Sequence, residues 1–329
     1  MDTTDTTDTR AAGVVVGYDA SASAKTAVGW AAEEAARRSL PLTVVYAADY
    51  TGLVGGPISM SPALPGVSVD EAKRIAEGGA ELVRARRSDV EVHAATFAGS
   101  ASTVLIRESR AAAIVVVGTR GHGDAAGVLL GSVASRVAAH ARCPVVVARG
   151  EDVVVTGADR PVVVGVDGSP SAGAALDAAI VRAGEAGAAL RIVCAWRPTA
   201  PGDWEHEYWL AVGPGTAPDE TAREAAERVV ADAAAAVRRV APDLTVETSV
   251  RGGDAAAAVL AAADDAGLVV VGARGRGSLA SLLLGSVSHG VVHGARCPVM
   301  IVRAPASEPV EAEAPRSEGT GSWRPVGLL

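Results

Sequence analysis

At 329 residues the chain has room for about two domains of roughly 150 residues each. Its apolar content is 49% but aromatic residues make up only 3%, so its cores must come from small and β-branched side chains, which favours Val/Ile strands under Ala-rich helices. A formal charge of −8 argues against a phosphate-tracking surface and so against nucleic acid as partner, and three cysteines do not make a disulfide framework.

In chain order, residues 1–11 ("MDTTDTTDTRA") are polar and aperiodic and are expected to be disordered. A first domain is expected over 12–149. It opens on an apolar strand at Val14, followed by an Ala-rich helix over 25–38, a second strand over 43–47, a Gly/Pro-rich loop and a charged helix over 69–87. A third strand (90–96), a helix (102–110), a fourth strand (114–117), a glycine segment, a helix and a fifth strand (144–148) complete it. "GEDVVVTGADR" over 150–160 reads as a linker. A second domain over 161–304 repeats the order, with helices at 171–186, 219–240 and 255–265 and strands at 191–195, 244–250, 268–271 and 298–302. The tail, 305–329, is again expected to be disordered.

Unbroken Val/Ile strands are buried on both faces, the mark of a parallel sheet. The expected fold is α/β: two tandem doubly wound, Rossmann-like, five-stranded parallel-sheet domains. No charged start with an apolar signal core precedes Val14, and the apolar runs are too short to span a bilayer. A cytoplasmic location without membrane contact is the expectation.

The halves are copies. "VVVGYDASASA" from Val14 recurs as "VVVGVDGSPSA" from Val162, an offset of 148, whereas Gly118 and Gly272, Ser132 and Ser286, and Cys143 and Cys297 are offset by 154. The six added residues fall in the loop after the second strand, which in the second half carries Trp204, Tyr208 and Trp209. These could cover a bound base, contact a partner protein or pack on their own domain.

"GTRGHGDAAGVLLGSV" from Gly118 and "GARGRGSLASLLLGSV" from Gly272 each follow a Val-rich strand and open a helix. Glycines let a ligand approach the backbone, and the first amides of a helix point at an anion, so each segment reads as a phosphate cradle to which Ser132 or Ser286 adds a hydroxyl. A tight strand-to-helix turn is the bland alternative. Asp19 and Asp167 stand at the end of the first strand, beside the fourth across the switch point of a doubly wound sheet. A carboxylate there could accept from ribose hydroxyls, help hold a divalent ion, or merely cap the next helix.

On these residues the chain resembles the universal stress proteins in their tandem form, from about Val14 to Arg303. The likeness rests on "VVVGYDAS" and "VVVGVDGS", the two G-x2-G-x9-G-S segments, and "ARCPVVVA" and "ARCPVMIV" at the last strands. The resemblance implies an ATP-binding regulatory protein of stress survival or growth arrest, with one pocket per domain, acting through partner proteins still to be identified. The nucleotide, with or without Mg2+, would meet Asp19, Gly118, Gly121, Gly131, Ser132 and Val133 in the first half. Its second-half contacts would be Asp167, Gly272, Gly275, Gly285, Ser286 and Val287. Backbone facing the adenine would fall at Ala47 and Ala195. The resemblance also implies that the fifth strands pair within one chain as a pseudo-dimer, and two chains could still associate. Ala113 and Gly267 depart from the family pattern, which has an Asp before strand four.

A slow ATP hydrolase or phosphotransferase is the alternative activity, and His122 would be its base. His289 and His293, four apart, have the spacing of two metal ligands, with packing or surface as the plainer account. Cys143 and Cys297 read as buried packing, and Cys194 has no counterpart, because Tyr46 occupies its place in the repeat. Arg120, Arg274 and Arg276 could lean on phosphate oxygens or lie solvated.

Overall fold

The computed structural model describes residues 12–48, 67–121, 130–150, 153–197, 218–276 and 284–304. The first half consists of β1 (Val14–Gly17), α1 (Ala22–Arg38), β2 (Leu42–Ala48), α2 (Val69–Arg86), β3 (Val92–Ala98), α3 (Ala101–Glu108), β4 (Ile114–Gly118), α4 (Ser132–His140) and β5 (Val145–Ala148). The second consists of β6 (Val162–Gly165), α5 (Pro170–Ala186), β7 (Leu190–Trp196), α6 (Pro218–Val240), β8 (Val246–Gly252), α7 (Ala255–Ala261), β9 (Leu268–Gly272), α8 (Ser286–Gly294) and β10 (Val299–Val302). The expected termini 1–11 and 305–329 lie outside the described residues.

All ten strands form one sheet in the order β3-β2-β1-β4-β5-β10-β9-β6-β7-β8. Within each half every pairing is parallel, and β1 lies beside β4 with Val14 opposite Ile114, as a doubly wound order requires. The halves join where β5 and β10 run antiparallel, with Val146 opposite Met300. These two residues are equivalent by the offset of 154, so the pair lies on an internal pseudo-twofold axis. One helical layer (α1, α2, α5 and α6) covers one face of the sheet and the other (α3, α4, α7 and α8) covers the second, each over a core spanning both halves. Val14, Val16, Ile114, Val116, Leu268 and Val270 are fully or almost fully buried, as unbroken apolar strands must be.

Several expected boundaries shift, among them the start of α1, which lies at Ala22 rather than 25, and both ends of α3. The third strands start at Val92 and Val246, two residues later than the apolar run suggests. Both are the outermost strands and half exposed, so burial on both faces does not mark their ends. The helix expected over 255–265 ends at Ala261, and Asp264 and Asp265 follow in a turn.

Polar side chains also cross between the halves. In the α1/α5 contact Glu34, 1% exposed, meets Arg182 Nη1 at 2.8 Å, and Arg38 reaches Glu185 at 3.4 Å. Positions 34 and 182 are equivalent by the offset of 148, so one site of the repeat carries opposite charges in the two halves. Past the fifth strands, Arg149 Nη1 donates to the Ala295 carbonyl at 2.7 Å and Arg303 Nη2 to the Ala138 carbonyl at 3.2 Å. The described part of 150–160 touches both halves: Val153 covers Gly29, the Arg37 guanidinium donates to Thr156 Oγ1, and Val155 and Thr156 lie against Gly267. The Thr156 backbone also explains one departure from the family pattern. A Cβ on Gly267 would come within 2.6 Å of Thr156 Cα, so no side chain fits there.

Candidate functional site

A crevice opens at the carboxyl ends of β1 and β4 in the first half, and of β6 and β9 in the second, where ligands bind in open α/β sheets. Their volumes are ≈ 420 and ≈ 530 Å³. The structure brings Asp19, Ala47, Gly118, Gly121, Gly131, Ser132 and Val133 together around the first crevice. It gathers Asp167, Ala195, Gly272, Gly275, Gly285, Ser286 and Val287 around the second.

The helix starts set these crevices apart. In α1, α2, α3, α5 and α7 an oxygen of Ser21, Ser68, Ser100, Ser169 or Asp254 accepts from an amide in the first turn. The N-caps of α4 and α8 are Gly131 and Gly285, which supply no such bond. First-turn amides without an intrahelical acceptor need a partner from elsewhere. Here they face a cavity, together with the exposed Ser132 and Ser286, in the arrangement that holds anions.

The aspartates do not cap the helices, which corrects one of the open readings; Ser21 and Ser169 do. Asp167 instead fastens the loop, because its Oδ1 accepts from the Ser169 amide at 2.9 Å and its Oδ2 from the Arg276 amide at 2.9 Å. Asp19 Oδ1 accepts likewise from Ser21 at 3.0 Å. A carboxylate oxygen has two lone pairs and can accept from more than one donor. The glycines divide by role. A Cβ at Gly121 or Gly275 would stand 2.6 Å from Asp19 Oδ2 or Asp167 Oδ2, and one at Gly118 or Gly272 would strike the Ser23 or Ser171 backbone. These four shape the turn itself. Gly285 has only ordinary contacts, the nearest at 3.4 Å, and closes the crevice wall.

Sequence reasoning missed the apolar walls, Ala101 and Leu105 of α3 and Ala255 and Val259 of α7, whose periodicity marks only core. The sequence shows Tyr46 in the place of Cys194 but not what that difference does to the crevice. Tyr18 lies against Gly79 of α2 and lines the first crevice with Tyr46, where the second has Val166 and Cys194. Without the two rings the second crevice runs on to Ala222, Ala226 and Val229 of α6 and to Trp196.

Arg120 lines the first crevice, and Arg274 and Arg276 the second. Burial pushes the Cys143 thiol up to about 12 and the Cys297 thiol to about 11, the opposite of an activated nucleophile. The His289 and His293 rings stack with centroids 4.2 Å apart, and the pKa of His293 is lowered by burial, then by His289 and Arg149. Among the described residues no group of three His, Cys, Asp or Glu side chains is placed to hold a metal ion, and no helix is long and apolar enough to cross a membrane. His122, Trp204, Tyr208 and Trp209 lie outside the described residues.

The model of the universal stress protein family matches residues 13–149 and again 160–303. A universal stress protein of Mycobacterium tuberculosis is 32% identical over 295 residues, which cover 88% of this chain and 96% of its own. Another from that organism is 34% identical over 301 residues, covering 88% and 97%. The crystal structure of a universal stress protein from Archaeoglobus fulgidus superposes with a TM-score of 0.62 at 19% identity, over 91% of this chain and 98% of that one, a likeness of fold. With the motif matched in both halves and the length of the tandem relatives covered, this chain belongs to the universal stress protein family.

Proposed function

We propose that the chain is an ATP-binding regulatory stress protein with one nucleotide crevice per half, which acts through protein partners that respond to occupancy. The observation that carries this reading is the pair of helices, α4 and α8, whose first-turn amides lack a side-chain cap and face a cavity. Phosphate oxygens supply the missing acceptors. Asp19 and Asp167 are in place for ribose hydroxyls, and the Val45, Leu105 and Val117 wall, with its second-half counterpart, for a base. Cavities of ≈ 420 and ≈ 530 Å³ lie in the range that small-molecule sites occupy. Mg2+ would arrive with the triphosphate, and Asp19 or Asp167 would help to hold it. The reading places the protein in the cytoplasm, where ATP is at hand.

The test is mass spectrometry of small molecules released on denaturing the purified, unsupplemented protein, followed by calorimetric titration with ATP. Retained adenine nucleotide, or two bound ATP per chain, is the expected result. A chain that neither carries nor takes up ATP sinks the reading.

A further inference from the structure

The contacts of Arg149 and Arg303 are exchanged between halves. Arg149 follows β5 in the first half, yet its guanidinium binds the carbonyl of Ala295, the C-cap of α8 in the second. Arg303 follows β10 in the second half and binds the carbonyl of Ala138 in the last turn of α4 in the first. The two arginines are equivalent by the offset of 154, so the exchange occurs twice, although the carbonyls they reach, Ala295 and Ala138, are not equivalent positions. Each target is a nine-residue helix with its amino end at a crevice. A helix so short is marginal by itself and depends on tertiary contacts for its position. Its last carbonyls lack intrahelical donors, and a cation there both satisfies one and complements the negative end of the dipole.

We infer that Arg149 and Arg303 are positioning residues lent by each half to the other: Arg149 holds the anion-facing helix of the second crevice, and Arg303 that of the first. The inference rests on the proposed function, since it assigns these helices to ATP. Each arginine also feels the charge of an arginine lining its own half's crevice, Arg120 for Arg149 and Arg274 for Arg303. The dependence is therefore expected to be crossed.

The experiment uses the full chain with one crevice closed at a time, by Gly121→Val for the first or Gly275→Val for the second, and ATP titrated calorimetrically. Adding Arg149→Gln should weaken ATP at the second crevice about fivefold and change the first by less than about twofold. Arg303→Gln should do the reverse. Hydrogen exchange without nucleotide gives an independent readout: residues 286–294 should exchange faster in Arg149→Gln, and 132–140 in Arg303→Gln. Weakening confined to the arginine's own half, equal in both halves, or absent from both overturns the inference, as does exchange that rises in neither helix. If no variant, parent included, takes up ATP, the functional reading fails, and the exchange pattern alone decides the positioning role. Should a Gln variant not fold, Arg149→Lys and Arg303→Lys keep the charge but lose the planar fork, and a smaller loss in the same crossed pattern is expected.

Discussion

The two crevices share a scaffold and differ in what faces them. Both have an Asp that fastens the loop, a glycine under its Oδ2 and a helix start without a side-chain cap. They diverge at the wall, where Tyr18 and Tyr46 stand opposite Val166 and Cys194, and at the contact between halves, where Glu34 stands opposite Arg182. Backbone that makes the turn is held the same, because a single Cβ there collides with it. Side chains that choose a ligand or a neighbour are free to change.

The largest effect is expected at the charge-reversed pair. Arg182→Met leaves Glu34 buried without its main partner and should cost about 3 kcal/mol by chemical denaturation; adding Glu34→Leu should recover most of that. The loss should depend on pH. Burial raises the Glu34 pKa while Arg182, Arg37 and Arg38 oppose it, so in Arg182→Met the folded state binds the proton more tightly than the unfolded chain. Stability should therefore fall as pH rises above the ordinary carboxylate range and return on acidification. A penalty independent of pH would contradict this account.

Next in size is Gly275→Val, whose side chain displaces Asp167 from the loop. ATP affinity of the second crevice should drop at least about thirtyfold, roughly 2 kcal/mol, and the first should keep its own. Gly285→Ala, which meets nothing closer than 3.4 Å, should fold normally and lose less. Equal losses from the two substitutions would remove the distinction drawn between turn-forming and wall-forming glycines.

The wall difference predicts selectivity. An ATP analogue with a bulky apolar group on the adenine should bind the second crevice about fivefold better than the first, and Val166→Tyr with Cys194→Tyr should abolish the preference. A titration in which both crevices treat the analogue alike breaks the comparison. The smallest effect concerns the residue after each aspartate. Ala20 has φ +67° and its equivalent Gly168 φ +79°, a region that costs a Cβ about 1 kcal/mol. Ala20→Gly should stabilise by about 0.5 kcal/mol and Gly168→Ala should cost about 1 kcal/mol, read from urea midpoints.

Much of this was legible in the residues, for reasons that vary by element. Val14–Val16 and Ile114–Val117 read as parallel strands because they are buried on both faces, and the periodic glycines marked the crevices because turns and anion sites share one backbone requirement. The starts of β3 and β8 were not legible, since an edge strand needs burial on neither end. Local pattern left the aspartate's role open between cap and ligand, and the choice depended on where the Arg276 amide arrives from 109 residues away. Arg149 and Arg303 carry no signal in composition or period, because their partners belong to the other half. Tyr18 is core, and its bearing on the cavity comes from being larger than Val166.

The sheet order has a consequence for growth. Because β5 and β10 consume each other's edges, the only free hydrogen-bonding rims left to this sheet are β3 and β8, among the described residues. Those rims carry exposed His93, Glu247 and Arg251, polar and charged side chains that discourage another strand from adding. A filament by end-to-end strand addition is thereby disfavoured. Replacing His93, Glu247 and Arg251 with Val should raise the sedimenting mass at high protein concentration, while the parent should stay finite in size.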